Sequence, residues 1–281
     1  MGFESARIFF LFCAVLLPTL ATCQQNAQDE KQKTPSSPTE QVQVIPPAMH
    51  RAAPPRPDAA AGELEKQGDE LRGSKYYLDA IDFYDAALKK KPDDSVLLNK
   101  RGITELLLQR YKFAQKDFDR AIKRNRQYAD AHNNLGVISY ITKKYGKAIK
   151  EYERAIELND QAASYFSNLG AAYFSKKDFE KAVAAYNHAI QLDPEVFERV
   201  SHSGVSAQMS KPEDRAHYDY VVAKLYAKMG ANDRSLQYLR RAMEEGYKDI
   251  NNVYKDAEFA ELRKDPRFTA LMAAKPPAIP E

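Results

Sequence analysis

One pattern of residues returns every 34 positions through the middle of this 281-residue chain. A glycine, an alanine, an aromatic residue and a second alanine keep this step through four consecutive copies. An unbroken period of this length is typical of repeat architectures, in which each copy is one supersecondary unit. The columns are Gly68, Gly102, Gly136 and Gly170; Ala80, Ala114, Ala148 and Ala182; Tyr84, Phe118, Tyr152 and Tyr186; and Ala87, Ala121, Ala155 and Ala189.

Each copy is predicted to form two antiparallel helices. In the third copy the pattern predicts helices over about 131–141 and 147–158, joined by a turn at KKYG. Gly136 and Ala148 are predicted to lie where these helices approach most closely, because a larger side chain at either position would push them apart. A single hairpin cannot cover its own apolar face, so the copies must stack on one another. The sequence therefore predicts an all-α stack of helix hairpins.

The fourth copy resembles the tetratricopeptide repeat family. The resemblance is carried by Leu169, Gly170, Tyr173, Ala182, Tyr186, Ala189 and Pro194. The copies depart from the family where its favoured tryptophan is replaced, by Leu64, Leu98, His132 and Phe166, and where its closing proline is replaced, by Arg126 and Asp160. The resemblance implies a right-handed α-solenoid with repeats at 61–94, 95–128, 129–162 and 163–196.

The repeat rhythm breaks after Pro194. We interpret 197–215 as an insertion, 216–249 as a fifth, divergent repeat and 250–281 as a helical cap and tail. Gly246 is predicted to end the last repeat helix in the left-handed conformation. Asp256 and the pair Asp265 and Pro266 are predicted to begin the following helices. An apolar stripe is expected to cover the open end of the stack, formed by Phe259, Leu262, Phe268 and Leu271.

The first 60 residues are predicted to lie outside the repeats. Residues 1–23 contain Arg7, an apolar run and then small residues, which is the pattern of an export signal. The quartet ending at Cys23 also resembles a bacterial lipoprotein box, although Thr22 departs from it. Cleavage and lipidation of Cys23 therefore both stay open. Residues 24–60 hold seven of the 15 prolines and are predicted to form an extended, disordered linker.

The overall charge argues against a nucleic-acid partner. Lysine and arginine number 42 against 39 acidic residues, which gives a formal charge of +3. Proteins that neutralise phosphates normally carry a clustered basic face. Both cysteines, Cys13 and Cys23, lie in the leader, so no disulfide is expected in the repeats. Contact with a membrane is expected only through the leader or a lipid on Cys23.

A binding groove is expected on the inner side of the stack. In the tetratricopeptide family the first helix of each repeat lines the concave surface, and amide side chains there can pair with the backbone of an extended peptide. An alternative stays open, in which the asparagines bridge adjacent repeats or meet water. Glu65 and Asp69 stand where chaperone-binding members carry Lys and Asn, which disfavours a carboxylate clamp. The resemblance implies a groove of Asn99, Ile103, Asn133, Asn134, Val137, Tyr140, Ser167, Asn168 and Phe174.

Catalysis is not expected from these residues. The five histidines show no spacing typical of a metal site, and no phosphate-binding loop or nucleophile elbow is present. We therefore predict no catalytic residue, no metal and no cofactor. The one alternative is a hydrolase that uses His202, Ser203 and Ser206 of the 197–215 insertion.

These observations lead to one functional hypothesis and its rival. We expect an exported, periplasmic or extracellular scaffold that binds a protein or peptide without chemistry. The rival is a lipid-anchored envelope assembly factor, similar in layout to pilotin-type repeat lipoproteins. The two hypotheses differ mainly in the fate of Cys23.

Overall fold

Four antiparallel helix pairs account for the repeated region of the computed structural model, which describes residues 53–198 and 212–274. Every pair has a first helix of 13 residues and a second of 14. Each helix packs against the next along the chain. The helices are α1 Ala61–Gly73, α2 Tyr77–Lys90, α3 Ser95–Leu107, α4 Tyr111–Arg124, α5 Ala129–Ile141, α6 Tyr145–Leu158, α7 Ala163–Ser175 and α8 Phe179–Leu192.

The turn inside each pair contains a residue in the left-handed conformation that is not glycine. Lys75, Gln109, Lys143 and Lys177 have φ values of 64°, 59°, 59° and 63°. In the third pair the N–H of Lys144 donates to the carbonyl of Ser139 at 2.8 Å, which satisfies one of the free carbonyls at the end of the helix. The turn is therefore repeated with the same period as the helices.

The glycine and aromatic columns meet inside each pair. A Cβ atom added to Gly102 would lie 2.6 Å from Cε1 of Phe118, and one added to Gly68 would lie 2.8 Å from Cε1 of Tyr84. Both rings are completely buried. The glycine thus makes room on the first helix for the aromatic ring of the second helix, which explains why the two columns repeat together.

In the third pair the closest neighbour of Gly136 is Tyr152 and not Ala148, the residue that the sequence predicted at the helix crossing. Gly136 and Ala148 both lie in the interior, but the atoms nearest to a Cβ on Gly136 belong to Tyr152. Helices α5 and α6 also begin two residues earlier than predicted, at Ala129 and Tyr145. Neither helix has a side-chain cap, so no capping residue in the sequence marked these starts.

A fifth hairpin follows, formed by α9 Pro212–Lys228 and α10 Asn232–Glu244. Helix α9 begins inside the segment 197–215 that the sequence analysis treats as an insertion. Its first turn carries Glu213 and Asp214, whose charges favour the positive end of a helix dipole. Gly246 has φ +79° after α10, as predicted.

Three short 3-10 turns, Ile250–Tyr254, Ala257–Phe259 and Leu262–Lys264, lead to α11 Pro266–Ala274. The predicted apolar stripe of Phe259, Leu262, Phe268 and Leu271 is buried against the fifth hairpin. Asp256 occupies the N-cap position of the turn Ala257–Phe259, as predicted, but its side chain does not act as a cap. Its carboxylate makes no capping bond, because it accepts a hydrogen bond from Tyr220 at 2.8 Å and pairs with Lys224 at 2.9 Å.

The described part of the chain contains helices and turns but no strand. Within it, no helix combines the length and the apolar character that crossing a membrane requires. Helices α8 and α9 pack together less closely than the consecutive helices of the four repeats. The junction between the fourth and fifth hairpins is therefore the loosest step in the stack.

Candidate functional site

Polar side chains of neighbouring first helices pair with a constant offset of 35 residues. Nδ2 of Asn134 donates to Oδ1 of Asn99 at 3.0 Å, and Nδ2 of Asn168 donates to Oδ1 of Asn133 at 2.9 Å. The offset is one residue more than the repeat period. The position equivalent to Asn99 in the next repeat is Asn133, and the donor Asn134 is the residue after it. The side chains join α3 to α5 and α5 to α7 in a polar ladder.

These asparagines are almost completely buried. Asn99, Asn133, Asn134 and Asn168 are 4%, 1%, 0% and 2% exposed. Buried amides need hydrogen-bond partners, and each of the four has one on a neighbouring first helix. This arrangement matches the alternative in which the asparagines bridge adjacent repeats. Their use as peptide contacts stays a prediction.

At the first repeat the contact between neighbouring first helices is made by charged side chains. Nζ of Lys100 lies 2.5 Å from Oε1 of Glu65 and 2.6 Å from Oδ2 of Asp69. Burial lowers the pKa of Lys100, but hydrogen bonds to both carboxylates outweigh it, so the pKa lies above its usual value. Tyr84 also donates to Asp69, at 2.7 Å. The acidic residues at the first repeat are therefore used to join α1 to α3.

The apolar and aromatic members of the predicted groove are buried as well. Ile103, Val137, Tyr140 and Phe174 are 8%, 0%, 6% and 2% exposed, whereas Ser167 is half-buried. The hydroxyl of Tyr140 accepts from Ser175 Oγ at 3.0 Å, again across 35 residues. The nine predicted residues thus lie on the first helices α3, α5 and α7, and eight of them are shielded from solvent.

Three apolar side chains on the first helices are exposed, and the sequence analysis missed them. Val96, Leu107 and Ile141 are 43%, 40% and 39% exposed. At about 100° per residue, Val96, Ile103 and Leu107 fall within about 40° of one another around α3. We call Val96, Leu107 and Ile141 the apolar edge. The 34-residue spacing of Leu107 and Ile141 was the signal that could have identified it.

A cleft of about 270 Å³ lies at the loose step between α8 and α9. Val183, Ala184, Val221 and Leu225 line it, and the exposed Glu180 and Lys228 also contribute. Lys224 belongs to the same cleft but pairs with Asp256 and Glu258 at 2.9 and 3.4 Å. The cleft therefore combines apolar side chains from both helices with charged ones.

The described histidines take part in packing contacts. Nδ1 of His132 lies 3.0 Å from Oε2 of Glu151, and the ring of His188 lies 4.1 Å from that of Phe166. His217 packs among aromatic rings, where burial lowers its pKa. No group of three metal-binding side chains occurs among residues 53–198 and 212–274. Cys23, His202, Ser203 and Ser206 lie outside the described residues.

Comparison with known proteins identifies the same repeat. A model described as "TPR repeat" matches residues 138–177, and one described as "Tetratricopeptide repeat" matches residues 163–196. None of the curated proteins matches the chain. Both family models therefore fall on the third and fourth helix pairs.

Among solved structures, the chain resembles PilF of Pseudomonas aeruginosa with a TM-score of 0.52 and 16% identity, covering 78% of this chain and 99% of PilF. A thermophilic TPR protein of Thermus thermophilus gives a TM-score of 0.48 and 21% identity over 76% of this chain and 100% of that one. MamA of Desulfovibrio magneticus gives a TM-score of 0.47 and 18% identity over 69% of this chain and 97% of MamA. The resemblance to PilF shows a shared fold.

Proposed function

The chain is a tetratricopeptide repeat protein, and from that premise we propose that it is a non-enzymatic scaffold that binds a protein or peptide. The inner row of first helices is the proposed binding face. Its buried polar ladder holds neighbouring repeats in register, and the apolar edge offers contacts to a partner. The proposal therefore gives the two sets of residues different roles.

The observation that carries this proposal is the apolar edge itself. Leu107 and Ile141 occupy the same position in consecutive repeats, and both are about 40% exposed. Packed helices lie about 8–10 Å apart, and a peptide in the polyproline II conformation advances about 3.1 Å per residue with three residues per turn. Side chains three residues apart in such an extended partner lie on one face, about 9 Å apart, and would therefore meet both positions. Exposed apolar side chains at a regular spacing are suited to such contacts.

The proposed scaffold has no catalytic activity. His132 and His188 are engaged in contacts with Glu151 and Phe166. The alternative hydrolase depends on His202, Ser203 and Ser206. Deletion of residues 201–211 tests it, because retention of full function in cells would remove that alternative.

We propose that the protein is exported, because residues 1–23 have the pattern of an export signal and residues 24–60 that of an extended linker. The resemblance of the segment ending at Cys23 to a lipoprotein box supports the rival proposal of a lipid-anchored envelope assembly factor. Labelling of cells with a radioactive fatty acid distinguishes the two. Label that is lost on Cys23→Ser supports the anchored form, and absence of label on the parent chain excludes it.

The binding face is tested by site-specific photocrosslinking in intact cells. A benzophenone amino acid placed at Leu107 or Ile141 is expected to crosslink a partner, which mass spectrometry then identifies. Lys147 and His188, which are exposed on second helices, provide the control positions. Crosslinks confined to the control positions, or none at any of the four, would contradict a partner on the apolar edge.

A further inference from the structure

Helix α4 carries a basic stripe on its exposed side. Lys112, Lys116 and Lys123 are exposed and Arg120 is half-buried. At about 100° per residue, the four cations fall within an arc of about 80° around the helix. They line a shallow depression whose described residues all come from α4, and Asp119 is the single acidic residue among them. We call these four cations the basic stripe.

The four cations of the basic stripe outnumber the one carboxylate that lies among them, Asp119. Lys112, Lys116 and Lys123 form no ion pair with any residue of the described ranges, and Arg120 donates to the carbonyl of Pro92 at 3.1 Å. By contrast, Arg124 on the same helix pairs with Asp93 at 2.8 Å. The stripe therefore presents a net positive charge on one side of one helix.

The repeat fold does not require these cations. The positions of Lys112, Lys116, Arg120 and Lys123 correspond, two repeats later, to positions on α8 that carry no lysine or arginine. Those α8 residues are Glu180, Ala184, His188 and Gln191. The corresponding positions on α6 keep two cations, Lys150 and Arg154, so the full set of four occurs in the second repeat alone among the four repeats, and the repeat fold forms without it.

An exposed aromatic residue lies at the edge of the basic stripe. Phe113 is 62% exposed, the largest exposed fraction among the large apolar side chains of the described residues. Around α4 it is about 20° beyond Arg120. Amphipathic helices that lie in a membrane interface combine lysines that meet anionic headgroups with aromatic side chains that enter the headgroup region.

We propose that the outer face of α4 docks on an anionic phospholipid surface, with the basic stripe on the headgroups and Phe113 at the interface. The shape of the face favours a membrane over an acidic peptide. A peptide or helix is normally held in a groove with two walls, whereas the described lining of this depression is one helix. A planar charged surface needs only cations on a common side.

The chain contains no tryptophan, which makes a specific test simple. Phe113→Trp in the full chain places a single fluorescent reporter at the stripe. Vesicles of 30% phosphatidylglycerol in phosphatidylcholine are expected to shift its emission to the blue, and added salt is expected to reverse the shift. Tyr254→Trp, at a position 53% exposed on the cap, is the control reporter and should not shift.

Charge reversal then tests the stripe itself in the Phe113→Trp chain. Each basic residue near an anionic membrane contributes about fivefold to binding, so Lys112→Glu, Lys116→Glu and Lys123→Glu together should weaken it at least 100-fold. The matched control is Lys176→Glu, Lys248→Glu and Lys255→Glu, three exposed lysines away from α4. This control should retain most of the binding. Circular dichroism checks that both variants stay helical.

Three outcomes would overturn the proposal. One is an equal shift with pure phosphatidylcholine vesicles, which would assign binding to an apolar segment such as the leader. Another is the absence of any shift with anionic vesicles. The third is a shift with polyglutamate or an oligonucleotide but not with vesicles, which would assign the basic stripe to a soluble polyanion.

Discussion

The side-chain amide of Asn134 lies 3.0 Å from the side-chain oxygen of Asn99, and the two residues are 0% and 4% exposed. They belong to consecutive repeats and are 35 positions apart. The same offset joins Asn168 to Asn133 and Lys100 to Glu65. The repeats are thus connected by a polar ladder as well as by apolar packing, and this ladder has consequences for stability.

Asn134→Ala is expected to destabilise the repeats by about 1–3 kcal/mol, because it leaves the buried oxygen of Asn99 without its donor. The double variant Asn99→Ala with Asn134→Ala should cost less than the sum of the two single changes. Urea unfolding followed by circular dichroism measures both effects. Asn251→Ala, at an exposed position of the cap, is the control and should change stability by less than about 0.5 kcal/mol. Strict additivity of the asparagine pair would contradict the ladder.

Gly102→Ala should destabilise the fold by about 1–3 kcal/mol, since its new methyl group would overlap the buried ring of Phe118. Gly146→Ala is a matched change, because Gly146 is also helical and its added Cβ would have no atom within 4 Å apart from its chain neighbours and the nearby backbone of its own helix. Alanine favours the helix by up to about 1 kcal/mol, so this second change should be neutral or stabilising. Thermal melting compares the two. Equal melting temperatures would show that the glycine column does not reflect ring packing.

Lys143→Gly is expected to stabilise the third repeat by about 0.5–1 kcal/mol. Lys143 has φ 59°, a conformation that costs energy for residues with a Cβ atom but not for glycine. The relief of this strain should exceed the added entropy of glycine in the unfolded chain. Lys143→Ala keeps the Cβ atom and is the control. If the alanine variant gained as much stability as the glycine variant, loss of the lysine charge would be the cause.

The stability of the fifth hairpin should fall as the pH rises from about 4 to about 7. Burial raises the pKa of Asp219 to about 7, against the opposing charge of Arg241, whose Nε lies 3.3 Å from Oδ2. Neither carboxylate oxygen of Asp219 has a hydrogen bond within the described residues. An unfolded aspartate has a pKa of about 3.9, so the folded state binds the proton more tightly between these two values. Stability is therefore greatest below about pH 4 for this group and flattens above about pH 7.

Urea unfolding between pH 4.5 and 8 measures this dependence, which for one group cannot exceed about 1.4 kcal/mol per pH unit. Asp219→Asn should remove most of it. Glu213→Gln changes an exposed carboxylate on the same hairpin and should leave the pH dependence as it is. A parent chain whose stability does not fall from pH 5 to pH 7 relative to Asp219→Asn would show that Asp219 is ionised throughout.

The candidate site was predicted only in part. Sequence reasoning placed the nine groove residues on one inner row, but it could not tell an amide that faces a partner from one that faces the next repeat. That distinction depends on how the helices α3, α5 and α7 pack side by side in the stack. The apolar edge was missed because Leu107 and Ile141 look like ordinary interior residues until their neighbours are known to leave them 40% and 39% exposed.

The sequence by itself determined the helix pairs, their number in the repeated region and their order. Columns such as Gly102 with Phe118 can be identified without coordinates because they depend on the spacing of residues within one hairpin and recur at a constant period. Tertiary structure decided the partners of Asn134 and the exposure of Leu107. Those properties arise between hairpins, where residues far apart in the chain meet, and a repeat period does not specify which of their polar groups will pair.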